Sequence, residues 1–427
     1  MITGLRTVGA LVVCLLLAPI GLHFYQTSAP QERVAGWQSD IDFLLSEMRR
    51  QHYVYRSQPL PEKLERGAAE LKQAVPRFGD ERMLAELQRL MTFLGDGHCY
   101  LLPVGARRVN STWLPLRFYL FSDGLYVIDA EASYSRWIGS RVIKLGNVPA
   151  ADAMTRITDF AARDNPMGVK WVGPFLLRFR GFLEAIGSEV GARSVRLELE
   201  GRDGRVATPE IELTTVSNIR GLPKLIPSQV PGAPPPPLYL SSVTANYWFK
   251  ELPSGILYLQ FNQVMDRTGE TLSEFVRRLQ TVFKERPPKT VIVDVRHNNG
   301  GHAEMLTPLV EVLRGFESVN PQSKLIVITG RNTFSAAQIF IAQIARYTKA
   351  SFAGEPSSSK PNFVGEENQI VLPWSGALGS ISNRYHESIP GDTRIWIEPD
   401  IKVELTSQDY FSNRDPVLEL LLKRTSR

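Results

Sequence analysis

The spacing of apolar residues divides this chain of 427 residues into regions with different patterns. Between positions 36 and 95, apolar residues recur at intervals of three and four in WQSDIDFLLSEMRRQ, LPEKLERGAAELKQAV and DERMLAELQRLMTFL. This spacing predicts helices. From Trp113 the chain changes to short alternating runs with Asp-Gly turns, such as LPLRFYLFSDGLYVIDA and SVRLELEGRDGRVATPEIEL, which predict mainly strands.

A third pattern begins at Gly255, where strands and helices alternate. The predicted strands GILYLQFN, TVIVDVR and KLIVITG are almost wholly apolar, and the segments ETLSEFVRRLQTVFKE and AEMLTPLVEVLRGF between them have helical spacing. Fully apolar strands that alternate with helices indicate a largely parallel sheet covered on both faces. Open sheets of this kind place their functional sites at the carboxyl ends of the strands.

Together these patterns predict an α/β protein of several domains, as its length also favours. The expected segments are a signal peptide or membrane anchor at 1–30, a helical domain at 31–105, a β-rich domain at 106–217, a Pro-rich connector at 218–250 and an α/β core at 251–427. The connector contains VPGAPPPPLYL, which is typical of an extended or exposed segment.

The N-terminus indicates export. Arg6 precedes the apolar run Val8–Gly21, which is short for a membrane span of about 20 residues but suits a signal peptide or a single uncleaved anchor. Cleavage stays open, because the small residues at 27–29 are followed by Pro30. The expected location is therefore the periplasm or the outer face of the cell envelope, with or without an N-terminal membrane anchor.

The charge, cysteine and histidine content of the chain bears on whether it binds nucleic acid, forms a disulfide or holds a metal ion. The 49 Lys and Arg exceed the 44 Asp and Glu by only five, without a basic block, so nucleic acid is not an expected partner. Of the two cysteines, Cys14 lies in the apolar run, which leaves Cys99 without a disulfide partner. The six histidines show no metal-ligand spacing, and we expect neither a metal nor another cofactor.

Ser335 is the first candidate for chemistry. In RNTFSAAQIFIAQI it stands between a predicted strand and a predicted helix. One interpretation is a helix cap, the commonest role of serine at this position. The other is a nucleophile, because a helix N-terminus offers N–H groups and positive potential to a developing oxyanion.

Two further segments favour the nucleophile. In VIVDVRHNNGGH, the glycines Gly300 and Gly301 follow a strand, and either N–H would complete an oxyanion hole with the N–H of Ala336. In LGDGHCYL, His98 follows a Gly-Asp-Gly turn that would hold an exposed ring rigidly, as a general base requires, with a structural hydrogen-bonding role as the alternative. A dyad of His98 with Cys99 is improbable, since adjacent side chains diverge. His297 and His302 are interpreted as ordinary loop residues, with substrate contact as the alternative.

Six segments in order now resemble the tail-specific, or C-terminal processing, serine peptidase family. They are GDGHCYL, VIVDVRHNNGGH, NTFSAAQIF, AGEPSSSKPNFVGE, LPWSGALGSISN and IEPDIKVELTSQDYFSNRDPVLELLL, and the histidine segment is similar to the tricorn-like branch. The resemblance covers about half of the chain and implies a crotonase-like peptidase core. It also implies that Ser335 is the nucleophile and that Ala336 with Gly300 or Gly301 supplies the oxyanion N–H groups.

The resemblance leaves two candidates for the base. One branch of the family uses a lysine 25 residues after the serine, and 360 − 335 = 25 falls on Lys360. The tricorn-like branch uses a histidine at the position of His98. We favour His98, because the segment around it matches better and because an unperturbed imidazole suits a base near neutral pH.

The resulting hypothesis is a serine endopeptidase of the cell envelope that acts on unfolded or C-terminal polypeptide segments. The segment GSRVIKLGNVPAADAMTRI resembles the end of the PDZ-like peptide-binding module often inserted in this family. One alternative is a non-catalytic protein of the same fold that binds a hydrophobic ligand or a peptide. Another is an anchored scaffold whose helical region recruits partners. Ser335, the paired glycines and His98 together favour the enzyme.

Overall fold

The computed structural model describes residues 30–216, 226–227, 235–319 and 322–425. The described residues form two compact units. The N-terminal unit is drawn from Gly21–Val230 and Val364–Tyr385, and the core unit from Pro231–Phe363 and His386–Arg427. The predicted signal peptide or anchor at 1–30 lies outside the described residues, apart from Pro30. Within the described ranges, no helix is both long enough and apolar enough to span a membrane.

The N-terminal unit begins with the helices α1 (Pro30–Gln51), α2 (Glu62–Ala74) and α3 (Asp80–Thr92). These confirm the helical spacing seen in the sequence. Their apolar positions are the buried ones, as with Leu64, Ala68 and Leu71 of α2. Because these residues recur every three or four positions, they form one face of the helix, and burying that face holds the helices together.

The remainder of this unit is built mainly of strands. Its elements in chain order are β1 (Tyr100–Leu101), β2 (Ser111–Trp113), β3 (Leu116–Phe121), β4 (Gly124–Ala130), β5 (Arg141–Leu145), β6 (Val148–Pro149), α4 (Ala150–Arg156), α5 (Pro166–Leu176), α6 (Arg180–Ala185), β7 (Ser194–Glu200), β8 (Val206–Ala207), β9 (Glu210–Glu212), β10 (Thr214–Val216) and β11 (Ile226–Pro227). The main sheet has the order β11-β4-β5-β7-β8, with β3 beside β4. The predicted strand, turn, strand and helix are β5, β6 and α4.

The helices α5 and α6 lie in the region that we expected to be mainly strands. The start of α5 carries recognisable signals, since the Asn165 side chain accepts a hydrogen bond from the Met167 N–H at 2.9 Å and Pro166 is the first helical residue. Asparagine caps and a proline in the first position are common at helix starts. Because the runs on either side of this segment alternate between apolar and polar residues, the whole region was predicted to be mainly strands.

The core unit is built around an α/β sheet and ends with two helices. Its elements are α7 (Leu238–Ser241), β12 (Tyr247–Leu252), β13 (Ile256–Phe261), α8 (Leu272–Glu285), β14 (Thr290–Asp294), α9 (Thr307–Val319), β15 (Lys324–Thr329), α10 (Ala336–Tyr347), β16 (Ser351–Gly354), β19 (Ile401–Lys402), α11 (Ser407–Phe411) and α12 (Pro416–Thr425). From position 238, part of the predicted connector 218–250 thus forms α7 and the start of β12. Apart from Ile226–Pro227, its residues up to 234 lie outside the described ranges.

The core sheet has the order β12-β13-β14-β15-β16-β19, and every pairing from β13 to β19 is parallel. Residues of α8, α9 and α10 pack on one face, and Val417, Leu418 and Leu421 of α12 pack on the other. This confirms the predicted mixed α/β fold with a covered, largely parallel sheet. Consequently the loops after β14 and β15 emerge at the same edge.

Between β16 and β19 the chain forms the hairpin β17 (Asn362–Val371) and β18 (Leu378–Glu387). In the N-terminal unit, β18 pairs with β1, so that Tyr100 lies opposite Ser380 and Leu101 opposite Gly379. The segment that follows His98 is therefore fixed by residues almost 280 positions later in the sequence. The sequence patterns did not predict this pairing.

Candidate active site

Ser335 stands at the junction of the loop after β15 and the helix α10. Its backbone has φ 54° and ψ −124°, and its side chain makes no capping hydrogen bond. The interpretation of Ser335 as a helix cap is therefore wrong. A residue with a Cβ atom rarely adopts a positive φ, and such strain persists only where the surroundings enforce it. The resulting sharp turn is called the Ser335 elbow below.

Hydrogen bonds from the preceding residues hold the elbow in place. The Thr333 hydroxyl donates to the carbonyl of Val295 at 2.9 Å and accepts the N–H of Gly330 at 3.2 Å. The Phe334 N–H donates to the carbonyl of Asn298 at 3.1 Å. Two of these bonds reach the loop after β14, so the elbow and that loop are fixed against each other.

That loop, which we call the glycine loop (residues 295–301), is anchored by a buried ionic network. At the end of β14, Asp294 accepts hydrogen bonds from Arg296 and, at 2.7 Å, from the Tyr258 hydroxyl. Arg296 also donates to Asp415 at 2.6 Å. Burial alone would raise the pKa of Asp294, but the charge of Arg296 and these bonds hold it below its usual value. The carboxylate is thus ionised and paired, as a buried charge must be.

Gly300 passes directly beside the elbow, and Gly301 after it lies against Val264. Their φ angles are 115° and 131°. A Cβ atom on Gly300 would lie 2.7 Å from the Cβ of Ser335 and 3.0 Å from the nitrogen of Ala336. One on Gly301 would lie 2.2 Å from the carbonyl oxygen of Val264. Only glycine fits at either position, and the close approach brings the glycine loop to the N–H of Ala336.

The two glycine N–H groups differ in availability. The Gly300 N–H donates to the Asn298 side-chain oxygen at 3.0 Å. Within the described ranges, neither the Gly301 N–H nor the Ala336 N–H has an acceptor. Ala336 is the first residue of α10, where the helix has no internal acceptor for it and the macrodipole favours negative charge. Of the two glycine N–H groups, that of Gly301 is thus the one left available among the described residues.

The segment that carries Lys360 lies beside the elbow. The Ser358 N–H donates to the carbonyl of Thr333 at 3.1 Å, and the Ser359 hydroxyl lies 3.5 Å from the Ser335 nitrogen. The three serines before Lys360 are buried, while Lys360 itself is of intermediate exposure. Lys360 and Ser335 belong to the core unit, whereas His98 belongs to the N-terminal unit.

His98 follows a turn organised by Asp96, which we call the His98 turn (residues 95–99). One Asp96 oxygen accepts the N–H groups of His98 at 2.9 Å and Cys99 at 2.8 Å, together with the Ser382 hydroxyl at 2.8 Å. The other lies 2.9 Å from the His52 Nε2. The backbone around His98 is therefore rigid, as expected. The expectation of an exposed ring is wrong, because His98 is only 2% exposed.

The electrostatics of this turn are set by Asp96. Burial would raise its pKa, but the hydrogen bonds from His52 and Ser382 and the electrostatic interactions with His52 and His98 lower it. The Nδ1 of His52 accepts the Val54 N–H at 3.2 Å, so Nε2 carries the proton that His52 donates to Asp96. A buried negative charge therefore lies close to His98.

Cys99 completes a group with His52 and Asp96 whose ligand atoms lie within 4.8 Å of one another, a spacing that a metal ion could bridge. Hydrogen bonding already accounts for this group. Burial, followed by the charge of Asp96, raises the pKa of the Cys99 thiol well above its usual value.

The remaining candidate histidines lie on either side of the glycines. The His297 ring stacks on Tyr239 with 5.7 Å between ring centroids, and burial lowers its pKa. His302 is about half exposed, with its Nδ1 3.4 Å from a carboxylate oxygen of Glu304. Both histidines thus have structural partners.

The sequence patterns did not single out the side chains of Asn298 and Asp96, which organise the backbone of the glycine loop and of the His98 turn. Both accept hydrogen bonds from backbone N–H groups two residues later, at Gly300 and His98. This Asx-turn arrangement is a local feature of Asn and Asp, and the signals were the Asn-x-Gly and Asp-x-His spacings. The buried partners of these side chains come from distant segments and could not be read from the spacing.

Comparison with solved structures identifies proteins of similar fold. No protein-family model and no curated protein matches this sequence. The structure of mature CPAF matches 92% of this chain and 96% of its own chain, with a TM-score of 0.61 and 14% sequence identity. The structure of mature CPAF complexed with lactacystin has the same TM-score and identity, and the match covers 92% of this chain and 98% of its own. The photosystem II D1 C-terminal processing protease has a TM-score of 0.41 and 11% identity, covering 87% of this chain and 94% of its own.

These neighbours are tail-specific serine peptidases. The similarity to CPAF extends over nearly the whole of both chains, so the fold is shared even though few residues are identical. The family resemblance carried by the six sequence motifs is confirmed at the level of the fold.

Proposed function

We propose that this chain, whose fold is that of the tail-specific serine peptidases, is a serine-type endopeptidase that acts through Ser335. The single observation that carries the proposal is the elbow. Ser335 has φ 54° without a capping bond, and the glycine loop passes it so closely that a Cβ atom on Gly300 would lie 2.7 Å from the Ser335 Cβ. Strain of this kind persists at functional sites, and capping does not require it.

The proposed reaction is acyl transfer to water. The Ser335 hydroxyl loses its proton to a general base as its oxygen attacks the scissile carbonyl, and the tetrahedral oxyanion accepts the N–H groups of Ala336 and Gly301. Collapse of this intermediate expels the amine, which takes the proton from the base, and leaves an acyl-enzyme. Water activated by the same base then releases the second product. The chemistry requires no metal or other cofactor.

We propose His98 as the base and keep Lys360 as the alternative. The negative charge of Asp96 supports His98, because it stabilises the imidazolium that forms when the base accepts a proton. The contacts of the 357–359 segment with the elbow support Lys360. Mutation of each residue decides between them, as described in the Discussion.

We also propose a substrate class, a fold type for the core unit, a PDZ-like module in the N-terminal unit and a cellular location. We infer that the substrate is an unfolded or C-terminal polypeptide segment, that the core is crotonase-like, and that the β-rich part of the N-terminal unit includes a PDZ-like module around β5, β6 and α4. The apolar run Val8–Gly21 supports export to the periplasm or the outer face of the envelope. Fractionation of cells that express the chain with and without residues 1–26 tests the location.

The function is tested by incubating purified protein with β-casein as an unfolded polypeptide and with a folded protein of similar size. We expect new peptides from casein alone, detected by mass spectrometry, and none from the Ser335→Ala variant. Intact casein, or equal cleavage by the variant, would contradict the proposal. Binding of casein without cleavage would instead favour the non-catalytic alternative.

A further inference from the structure

Asn298 is the point at which three segments of the core unit meet. Its side-chain amide donates to the carbonyl of Phe261, the last residue of β13, at 3.0 Å. Its side-chain oxygen accepts the Gly300 N–H at 3.0 Å. Its own carbonyl accepts the Phe334 N–H, one residue before Ser335, at 3.1 Å. Asn298 is completely buried, so no water competes for these bonds.

These bonds have a directional consequence for the glycine loop. Because Asn298 accepts the Gly300 N–H, that group is turned into the loop, and the next N–H, on Gly301, is left without an acceptor among the described residues. The bond to the Phe334 N–H holds the elbow against the same residue. The side chain of Asn298 thus fixes the orientation of the glycine loop, and its backbone carbonyl fixes the position of the elbow.

Only asparagine satisfies this environment. The position requires a donor toward the Phe261 carbonyl and an acceptor toward the Gly300 N–H, and the carboxamide provides one of each in a fixed orientation. Aspartate would place a carboxylate oxygen against the Phe261 carbonyl, and alanine would leave both groups buried and unpaired.

We propose that Asn298 is a positioning residue that aligns the Gly301 N–H with the Ser335 elbow and so governs the rate of acylation. The inference rests on the proposed function. It predicts that Asn298 variants lose reaction rate while binding is retained, because the side chain acts on the groups that meet the oxyanion and not on the rest of the substrate site.

The test is the labelling of Ser335 by a fluorophosphonate, measured over a range of probe concentrations to separate the maximal rate kinact from the half-saturating concentration KI. We expect Asn298→Ala to lower kinact about 100-fold, the scale for losing one oxyanion donor, with KI changed less than about threefold on the same scale. We expect Asn298→Asp, which keeps the acceptor for Gly300, to lower kinact about tenfold.

The matched control is Asn262→Ala. Asn262 is also buried in the core unit, and its amide donates to the carbonyls of Ser242 at 3.2 Å and Ala245 at 2.8 Å, neither of which lies in the elbow or the glycine loop. We expect a lower melting temperature with kinact within about threefold of the wild type, since buried hydrogen bonds contribute to stability at either position. This control separates lost positioning from lost stability.

The outcomes are distinguishable. A labelled wild type with Asn298 variants that react at the wild-type rate, or that change KI and not kinact, would overturn the inference and leave the proposed function standing. A wild type that the probe does not label would overturn the proposed function and the inference with it. If Asn298→Ala does not fold, Asn298→Asp carries the test, and a wild-type kinact for that variant overturns the inference.

Discussion

The Ser335 elbow and the His98 turn both present a residue proposed for catalysis, yet different chemistry holds their backbones. At the elbow, where Ser335 has a positive φ, the backbone is held by neutral hydrogen bonds: the Thr333 hydroxyl donates to the Val295 carbonyl, and the Asn298 carbonyl accepts the Phe334 N–H. At the His98 turn, the lowered pKa of the buried carboxylate of Asp96 keeps it charged while it accepts two N–H groups, a hydroxyl and a histidine N–H.

The difference matches the charges that the proposed reaction would create. An oxyanion needs N–H donors without a competing negative charge nearby, and the elbow provides them at the start of α10. An imidazolium is stabilised by a nearby carboxylate, and the His98 turn provides one. Each region is therefore suited to one sign of developing charge, and the following changes test that division.

The largest effect is expected for Ser335→Ala. Loss of the nucleophile should lower kcat for peptide cleavage by about 10⁴-fold or more, since the remaining groups act only through binding and the oxyanion site. The melting temperature should change little, because the Ser335 side chain makes no capping bond. A kcat of the variant within about tenfold of the wild-type value would remove Ser335 from the mechanism.

Replacement of the candidate bases comes next. We expect His98→Ala to lower kcat at least about 100-fold and Lys360→Ala less than about tenfold, on the scale of general-base catalysis. Steady-state rates for both variants on one substrate give the comparison. The reverse order would transfer the role of base to Lys360 and leave the His98 turn as a structural feature.

Gly300→Ala tests whether the close approach matters. The added Cβ would meet the Ser335 Cβ at 2.7 Å in a backbone with φ 115°, so we expect kcat to fall about 30-fold, equivalent to about 2 kcal/mol of distortion. Gly315→Ala in α9 is the control, because a Cβ there meets nothing within 4 Å and alanine favours helices. Equal activity of the two variants would show that the glycine loop tolerates displacement.

The smallest effect concerns pH. The pKa of Asp96 is lower in the folded protein, so its contribution to stability is complete above its unfolded pKa of about 4 and is lost as the pH falls through the folded value. Asp96→Asn should therefore lower the free energy of unfolding by about 1 to 3 kcal/mol at pH 7, with a smaller deficit below about pH 4. Urea titrations at both pH values measure it, and a deficit that grows in acid would contradict the assignment.

The sequence predicted much of this architecture for identifiable reasons. Apolar spacing located the strands β13, β14 and β15 and the helices between them, because a covered parallel sheet requires apolar strands. The same spacing placed Ser335 where β15 gives way to α10, but the positive φ of the elbow was not predicted. Local patterns could not predict the pairing of β1 with β18, the burial of His98 or the bond from Asn298 to Phe261, because all of these depend on segments distant in the sequence.

The central claim is that Ser335 is the nucleophile, and chemical modification followed by peptide mapping tests it most directly. Wild-type protein and Ser335→Ala are treated with diisopropyl fluorophosphate, digested and analysed by mass spectrometry. The account predicts one adduct in the wild type, on Ser335, and none on the variant. An unmodified wild type, or an adduct on another serine such as Ser359 that persists in Ser335→Ala, would contradict it.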